Sequence, residues 1–253
     1  MTTRWRCLCA YDGTDFAGWQ KQPSGDAVQD KIEKALREIF QRPIRTIGAG
    51  RTDAGVHAKG QVFHFDADWN HDADDMLNAM SAHFPVGISP RSVVPAGSRF
   101  HALLSAKGKR YRYRAVEGWA MPEDDRFVLS LKNRTPDLER MKEAAAHLIG
   151  THDFSSFAAS RGDDKDESPV KTVWDIKVLS RSRSVDIEVL GGGFLYKMVR
   201  SIAGALLDVG CGKIESSELR EILMRKKRTG KIVSAPAKGL CLEKVYYRAP
   251  LSK

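Results

Sequence analysis

From Lys109 to Arg114 the chain reads Lys-Arg-Tyr-Arg-Tyr-Arg, a strict alternation that fits a β-strand. Side chains of a strand point to opposite faces in turn. Lys109, Tyr111 and Tyr113 therefore share one face, and Arg110, Arg112 and Arg114 share the other. A long strand over 106–116 needs sheet partners, and shorter β-prone stretches at 5–10, 61–65, 88–94, 171–179, 184–190 and 240–247 supply them. Helical spacing appears between them. Val28, Ile32, Ala35, Leu36 and Ile39 predict a helix over 26–40, with Ser24 as its cap. A second helix, 72–83, stops before Pro85, and Leu138, Met141, Ala145 and Leu148 form the stripe of a third over 136–149. The triple glycine 191–193 leads into an apolar helix over 194–209, and 216–224 is a further helix. Strands adjacent in sequence and mixed with helices predict an α+β fold with largely antiparallel sheets flanked by helices. The 253 residues suffice for two modest domains. Each half offers strands flanking helices, so the expectation is two similar domains, 1–105 and 106–253, although no internal sequence repeat supports duplication.

The densest stretch for chemistry is Gly48-Ala49-Gly50-Arg51-Thr52-Asp53-Ala54-Gly55-Val56-His57-Ala58. Its glycines allow sharp bends and close approach of the backbone to a ligand. Asp53 lies two residues from Arg51, and a neighbouring guanidinium favours the ionised form of a carboxylate. A lone catalytic aspartate would be presented in this way. Local composition alone favours the plainer reading, a loop between strands in which Asp53 turns the chain and Arg51 is solvated.

Charge shifts that balance. Lys and Arg number 41 against 32 Asp and Glu, a net +9, and phosphate backbones are the commonest polyanions that such an excess meets. No apolar run approaches the roughly 18 residues of a membrane span. Met1 to Arg6 runs straight into an alternating pattern without a signal-peptide core. Cys7, Cys9, Cys211 and Cys241 form no CxxC pair and read as reduced packing residues of a cytoplasmic protein.

Six ordered stretches share a resemblance. Tyr11-Asp12-Gly13-Thr14-Asp15-Phe16-Ala17-Gly18-Trp19-Gln20 resembles the opening motif of the tRNA pseudouridine synthase A family, and the stretch Gly50 to Ala58 resembles its signature. Lys109 to Tyr113 is similar to its central strand. Asp153-Phe154-Ser155-Ser156-Phe157, then Phe194 to Arg200, then Ala235-Pro236-Ala237-Lys238-Gly239-Leu240 complete the order. The resemblance implies conversion of uridine to pseudouridine in the anticodon stem-loop of tRNA, at tRNA positions 38–40. It implies a basic cleft between the domains and a homodimer. It assigns Asp53 as the catalytic carboxylate, Arg51 as the residue that flips the base and fills its gap, and Tyr111 as the ring packed on the target base. It places Arg200 against Asp53. The apolar neighbours Met198, Val199, Ile202 and Ala203 agree with a buried flank for that arginine, which then needs an anion.

The reaction breaks the N1–C1′ bond, turns the base and joins C5 to C1′. Nothing is oxidised and no group is imported, so no cofactor and no metal is expected. Attack of Asp53 at C1′, attack at C6 and proton removal at C2′ all stay open. Read without the resemblance, Tyr111 is a core tyrosine and Arg200 a surface arginine. Arg110, Arg112 and Arg114 are candidates for tracking RNA, and Arg225 to Arg228 reads as a solvated helix end with phosphate contact as a second reading. Two departures from the family pattern are Ala158, where a basic residue is usual, and Ser201, where Asn is usual. A non-catalytic RNA-binding protein is one rival class. A metal-dependent hydrolase using His57, His64 and Asp53 is the other.

Overall fold

The computed structural model describes residues 2–160 and 168–248, and the charged loop that the sequence predicts over 161–168 lies outside them but for its last residue. The chain forms two compact units. One contains the described residues up to Lys107 and the closing stretch from Cys241 onward, and the other runs from Gly108 to Leu240. Both are α+β.

In the first unit β1 (Thr3–Tyr11) lies between β3 (His57–Ala67) and β4 (Ile88–Ala96), antiparallel to both. A short β2 (Ile47–Gly48) adds to β3. Alternation along β1 buries Trp5, Cys7, Cys9 and Tyr11, so the two cysteines do serve as packing residues. Helices α1 (Val28–Phe40) and α2 (Ala73–His83) supply Ile32, Leu36, Met76 and Met80 to the same core. The cap of α1 is not Ser24. Asp30, in the first turn, accepts from the backbone N–H groups of Ala27 (3.3 Å) and Gln22 (3.1 Å), because a carboxylate there faces the unsatisfied donors of the helix start. The last strand, β10 (Leu240–Tyr246), returns to this unit and pairs parallel with β3, Cys241 opposite His57 and Leu242 opposite Ala58.

In the second unit β5 (Gly108–Val116), β9 (Ser184–Gly191), β8 (Val170–Arg181) and β7 (Gly150–Asp153) follow one another in an antiparallel sheet. A short β6 (Leu129–Ser130) joins the end of β5. The register sets Tyr111 opposite Val189 and Tyr113 opposite Ile187, so one face of the sheet is aromatic and branched. Helices α3 (Leu138–Ala146) and α4 (Met198–Gly210) pack there, and α5 (Ser216–Met224) packs on α3. Met141, Ala145 and Leu148 are buried as their spacing predicts. The expected helix over 194–209 starts four residues late, at Met198. Lys197 has a left-handed backbone (φ +58°), which no helix continues through, and the Phe194 ring stands perpendicular to that of Tyr111, centroids 5.5 Å apart.

Candidate active site

Asp53 sits on the loop between β2 and β3, and the motif 11–20 holds that loop in place. The backbone N–H of Trp19 donates to the Thr52 carbonyl at 3.0 Å, and the hydroxyls of Tyr11 and Thr52 share a bond of 2.8 Å. On the loop's other side the Gln61 amide donates to Gly50 O at 3.0 Å. The N–H of Ala49 donates to Val62 O at 2.7 Å, and the N–H of Val56 donates to Asp53 O at 3.1 Å, closing the turn through Ala54 and Gly55. Glycine is obligatory at two contact points. Gly18 has φ +85°, and a Cβ there would lie 2.6 Å from Thr52 O; at Gly13 a Cβ would lie 2.0 Å from Val56 O. Trp19, 2% exposed, fills the space behind the loop beside Tyr11 and Phe63. Thr52 is buried, Asp53 half-buried and Arg51 exposed. The backbone on both sides of the carboxylate is fixed while Arg51 is turned outward, an arrangement suited to a reacting group that must not wander.

His57 and His64 have separate engagements. The Nδ1 of His57 accepts from Gly13 N–H at 3.0 Å and lies 3.1 Å from Asp12 Oδ1, so this histidine ties the opening motif to the signature. The Nδ1 of His64 accepts from Ala102 N–H at 3.1 Å, and its ring lies 5.0 Å from that of His101. Among the described residues no three His, Cys, Asp or Glu side chains are grouped to hold a metal ion.

Tyr111 and Arg200 belong to the second unit. Tyr111 is 7% exposed, with its ring perpendicular to that of Phe194. Tyr113 is fully buried and donates to Pro236 O at 3.0 Å. Burial pushes its phenol well above the usual range, opposed only in part by the positive charges of Arg200 and Arg134. Arg200 lies in the first turn of α4, half-buried. Its Nε donates to Ala235 O at 2.8 Å, and its own carbonyl accepts from Ala235 N–H at 2.9 Å. Two motifs of the sequence, 194–200 and 235–240, thus meet at the Arg200 backbone and side chain.

The arginine face of β5 departs from its expected role. Asp186 on β9, opposite Arg114 in the register, is completely buried, and three guanidinium groups converge on it: Arg114 at 3.1 Å, Arg181 at 3.5 Å and Arg112 at 3.7 Å. Two of the three arginines expected to track RNA therefore neutralise a buried carboxylate. The basic run after α5 divides likewise. Arg225 pairs with Glu221 at 3.5 Å on the surface, but Arg228 turns inward. Thr52, Asp186 and Arg228 carried no separate signal in the sequence, since a threonine, an aspartate on a strand and an arginine in a basic run are each ordinary.

A family model described as tRNA pseudouridine synthase matches residues 8–103 and 144–248. The tRNA pseudouridine synthase A of Bacillus licheniformis is 39% identical over 246 residues, 96% of this chain and 99% of that protein. The protein of the same name from Brevibacillus brevis is 41% identical over 245 residues, 96% and 99% of the two chains. That from Shouchella clausii is 40% identical over 254 residues, 98% and 95%. With the family's model matched across most of its length and the signature aspartate held on a loop built by the opening motif, this chain belongs to the tRNA pseudouridine synthase family.

Proposed function

We propose that this protein isomerises uridine to pseudouridine in the anticodon stem-loop of tRNA, at the three positions the resemblance implies, with Asp53 as the reacting carboxylate. The observation that carries the assignment is the immobilised signature loop: Thr52 is fixed by Tyr11 and Trp19, and Val56 by the turn at Asp53, so one half-buried carboxylate is presented on a rigid backbone. The chemistry asks for little more. One bond, N1–C1′, is exchanged for another, C5–C1′; C5 gives up its proton and N1 gains one, so a carboxylate acting as nucleophile or base suffices. Extracting a stacked base costs a few kcal/mol. Arg51, exposed beside Asp53, is proposed to occupy the vacated place in the stem. Tyr111, braced by Phe194, is proposed to pack on the extracted base, a contact worth roughly 1–3 kcal/mol. Arg200 is proposed as the positively charged partner of the Asp53 carboxylate. Cytoplasmic location and a homodimeric state follow the same reading.

The test is to incubate unmodified tRNA with the purified protein and map pseudouridine base by base. Asp53→Asn keeps size and removes charge, so product formation is expected to fall below detection while tRNA affinity stays within about threefold. Turnover comparable to the wild type in this variant removes Asp53 from the reacting role. Tight tRNA binding without product in the wild-type protein would instead identify a non-catalytic RNA-binding protein.

A further inference from the structure

Arg228 spends its terminal guanidinium nitrogens inside the second unit. Nη1 donates to Ala158 O (3.1 Å) and to Ser201 Oγ (3.0 Å); Nη2 donates to Ile232 O (2.9 Å) and to Ser234 Oγ (3.1 Å). All four acceptors are neutral. An arginine kept for phosphate leaves its fork facing solvent, and this one has closed its fork on the protein. Burial lowers its basicity from the usual guanidinium value, so the side chain is held there at an electrostatic cost. The approach to it is also built. Ser156, completely buried, donates to Ile222 O at 2.6 Å and accepts from Lys227 N–H at 3.0 Å, which fixes the residue before Arg228 against the Asp153–Phe157 motif. Beyond Arg228 the chain of contacts reaches Arg200 by two routes. Ser201, next to Arg200, is gripped directly and also bonds Ser234 at 2.9 Å. Ile232 and Ser234 flank the segment whose next residue, Ala235, exchanges bonds with Arg200 in both directions, Arg200 Nε to Ala235 O and Ala235 N to Arg200 O.

We propose that Arg228 is a positioning residue for Arg200: its four-point clamp fixes the 232–235 segment and the first turn of α4, and so sets the direction of the Arg200 guanidinium without touching RNA. The kinetic consequence rests on the proposed role of Arg200, but the positioning itself does not. A substitution at Arg228 acts on the chemical step rather than on tRNA affinity, because what moves is a side chain placed for the reaction. Misplacement of a reacting geometry by about 1 Å costs on the order of 100-fold.

Two measurements separate the parts. The first is the NMR resonance of the Arg200 Nε–H group, assigned with Arg200→Lys, in wild type, Arg228→Met and Arg228→Lys. Lysine keeps the charge and cannot bridge four acceptors, so both variants are expected to shift or broaden the resonance, and Arg228→Lys serves if Arg228→Met fails to fold. An Arg200 resonance unchanged in a folded Arg228 variant overturns the proposal. The second is steady-state kinetics on tRNA against Arg225→Met, which removes one charge from the same basic run. The expected result for Arg228→Lys is a kcat lowered roughly 10- to 100-fold with KM within about threefold, and no further loss when it is combined with Arg200→Met. Arg225→Met is expected to leave kcat unchanged. A raised KM with normal kcat in Arg228→Lys, or losses that multiply in the double variant, would show direct RNA contact or an independent role and overturn the proposal. Full activity of Arg200→Met alongside a displaced Arg200 resonance in the Arg228 variants would sink the reading of Arg200 and leave the clamp standing.

Discussion

At His64, burial decides the charge. The side chain is 3% exposed, and desolvation, followed by the positive charge of Arg4 and the neighbouring His101, lowers its pKa from 6.5 to about 4, with Asp66 opposing. Its folded value lies below the unfolded one, so as pH falls the unfolded chain takes up the proton first. The neutral ring's contribution is complete above about pH 6.5 and drains away toward pH 4, at roughly 1 kcal/mol per pH unit. His64→Gln keeps an acceptor for the Ala102 N–H and removes the titration. Urea unfolding at pH 7 and pH 5 is expected to show a smaller acid loss in the variant than in the wild type, and equal losses would rule the histidine out. Arg200 is the other residue with a defined outcome. Arg200→Met keeps the apolar stem and removes the positive charge proposed to act in the reaction. A large loss of kcat is expected, with tRNA affinity little changed. Normal turnover in this variant contradicts the proposed role of Arg200.

Among the elements, the signature loop depends on a second stretch that carries no reacting group. Tyr11, Gly13, Gly18 and Trp19 form the bed on which Thr52 to Val56 lie. Gly18→Ala puts a methyl group 2.6 Å from Thr52 O at a left-handed backbone angle, and the obstacle is main chain, which has no rotamer by which to escape. The loop must shift. A stability loss of roughly 1–3 kcal/mol is expected, together with a fall in kcat larger than the change in tRNA affinity. Thermal unfolding and steady-state kinetics measure the two, and a variant with wild-type values of both would show that the contact does not position Asp53. The late start of α4 has the same character. The period of the apolar residues continues back to Phe194, but Lys197 adopts φ +58° and the preceding turn serves the Phe194–Tyr111 contact instead.

For the whole molecule, the net charge of +9 is the property that governs encounter with a polyanion. Part of the arginine complement is spent internally, on Asp186 and through Arg228, so composition overstates what faces a substrate. Binding of tRNA is nevertheless expected to weaken steeply with salt, as basic groups displace counterions from phosphates, by on the order of 10-fold or more between 50 and 200 mM. Affinities measured across that range by filter binding would show a straight line of negative slope in a double-logarithmic plot. A flat line contradicts an extended RNA surface.

Local periodicity was legible throughout the sequence. The alternation over 109–114 placed Tyr111 and Tyr113 together on one face, which is the buried one, and the helical stripes of α1 and α3 put Ile32, Leu36, Met141 and Ala145 inside, because such patterns depend on neighbours a few residues away. The six motifs gave the family for the same reason, being short and ordered. Tertiary structure alone decided how those motifs act on one another. Tyr11 reaches Thr52 across 41 positions, Arg114 finds Asp186 across 72, and Arg228 grips Ala158 across 70. It also decided that the closing strand leaves the second half to pair with β3, Cys241 against His57. Each of these contacts joins residues that are unremarkable where they stand in the chain. A buried polar group must find its partner wherever the fold brings one within reach, and that distance is set by packing rather than by sequence separation.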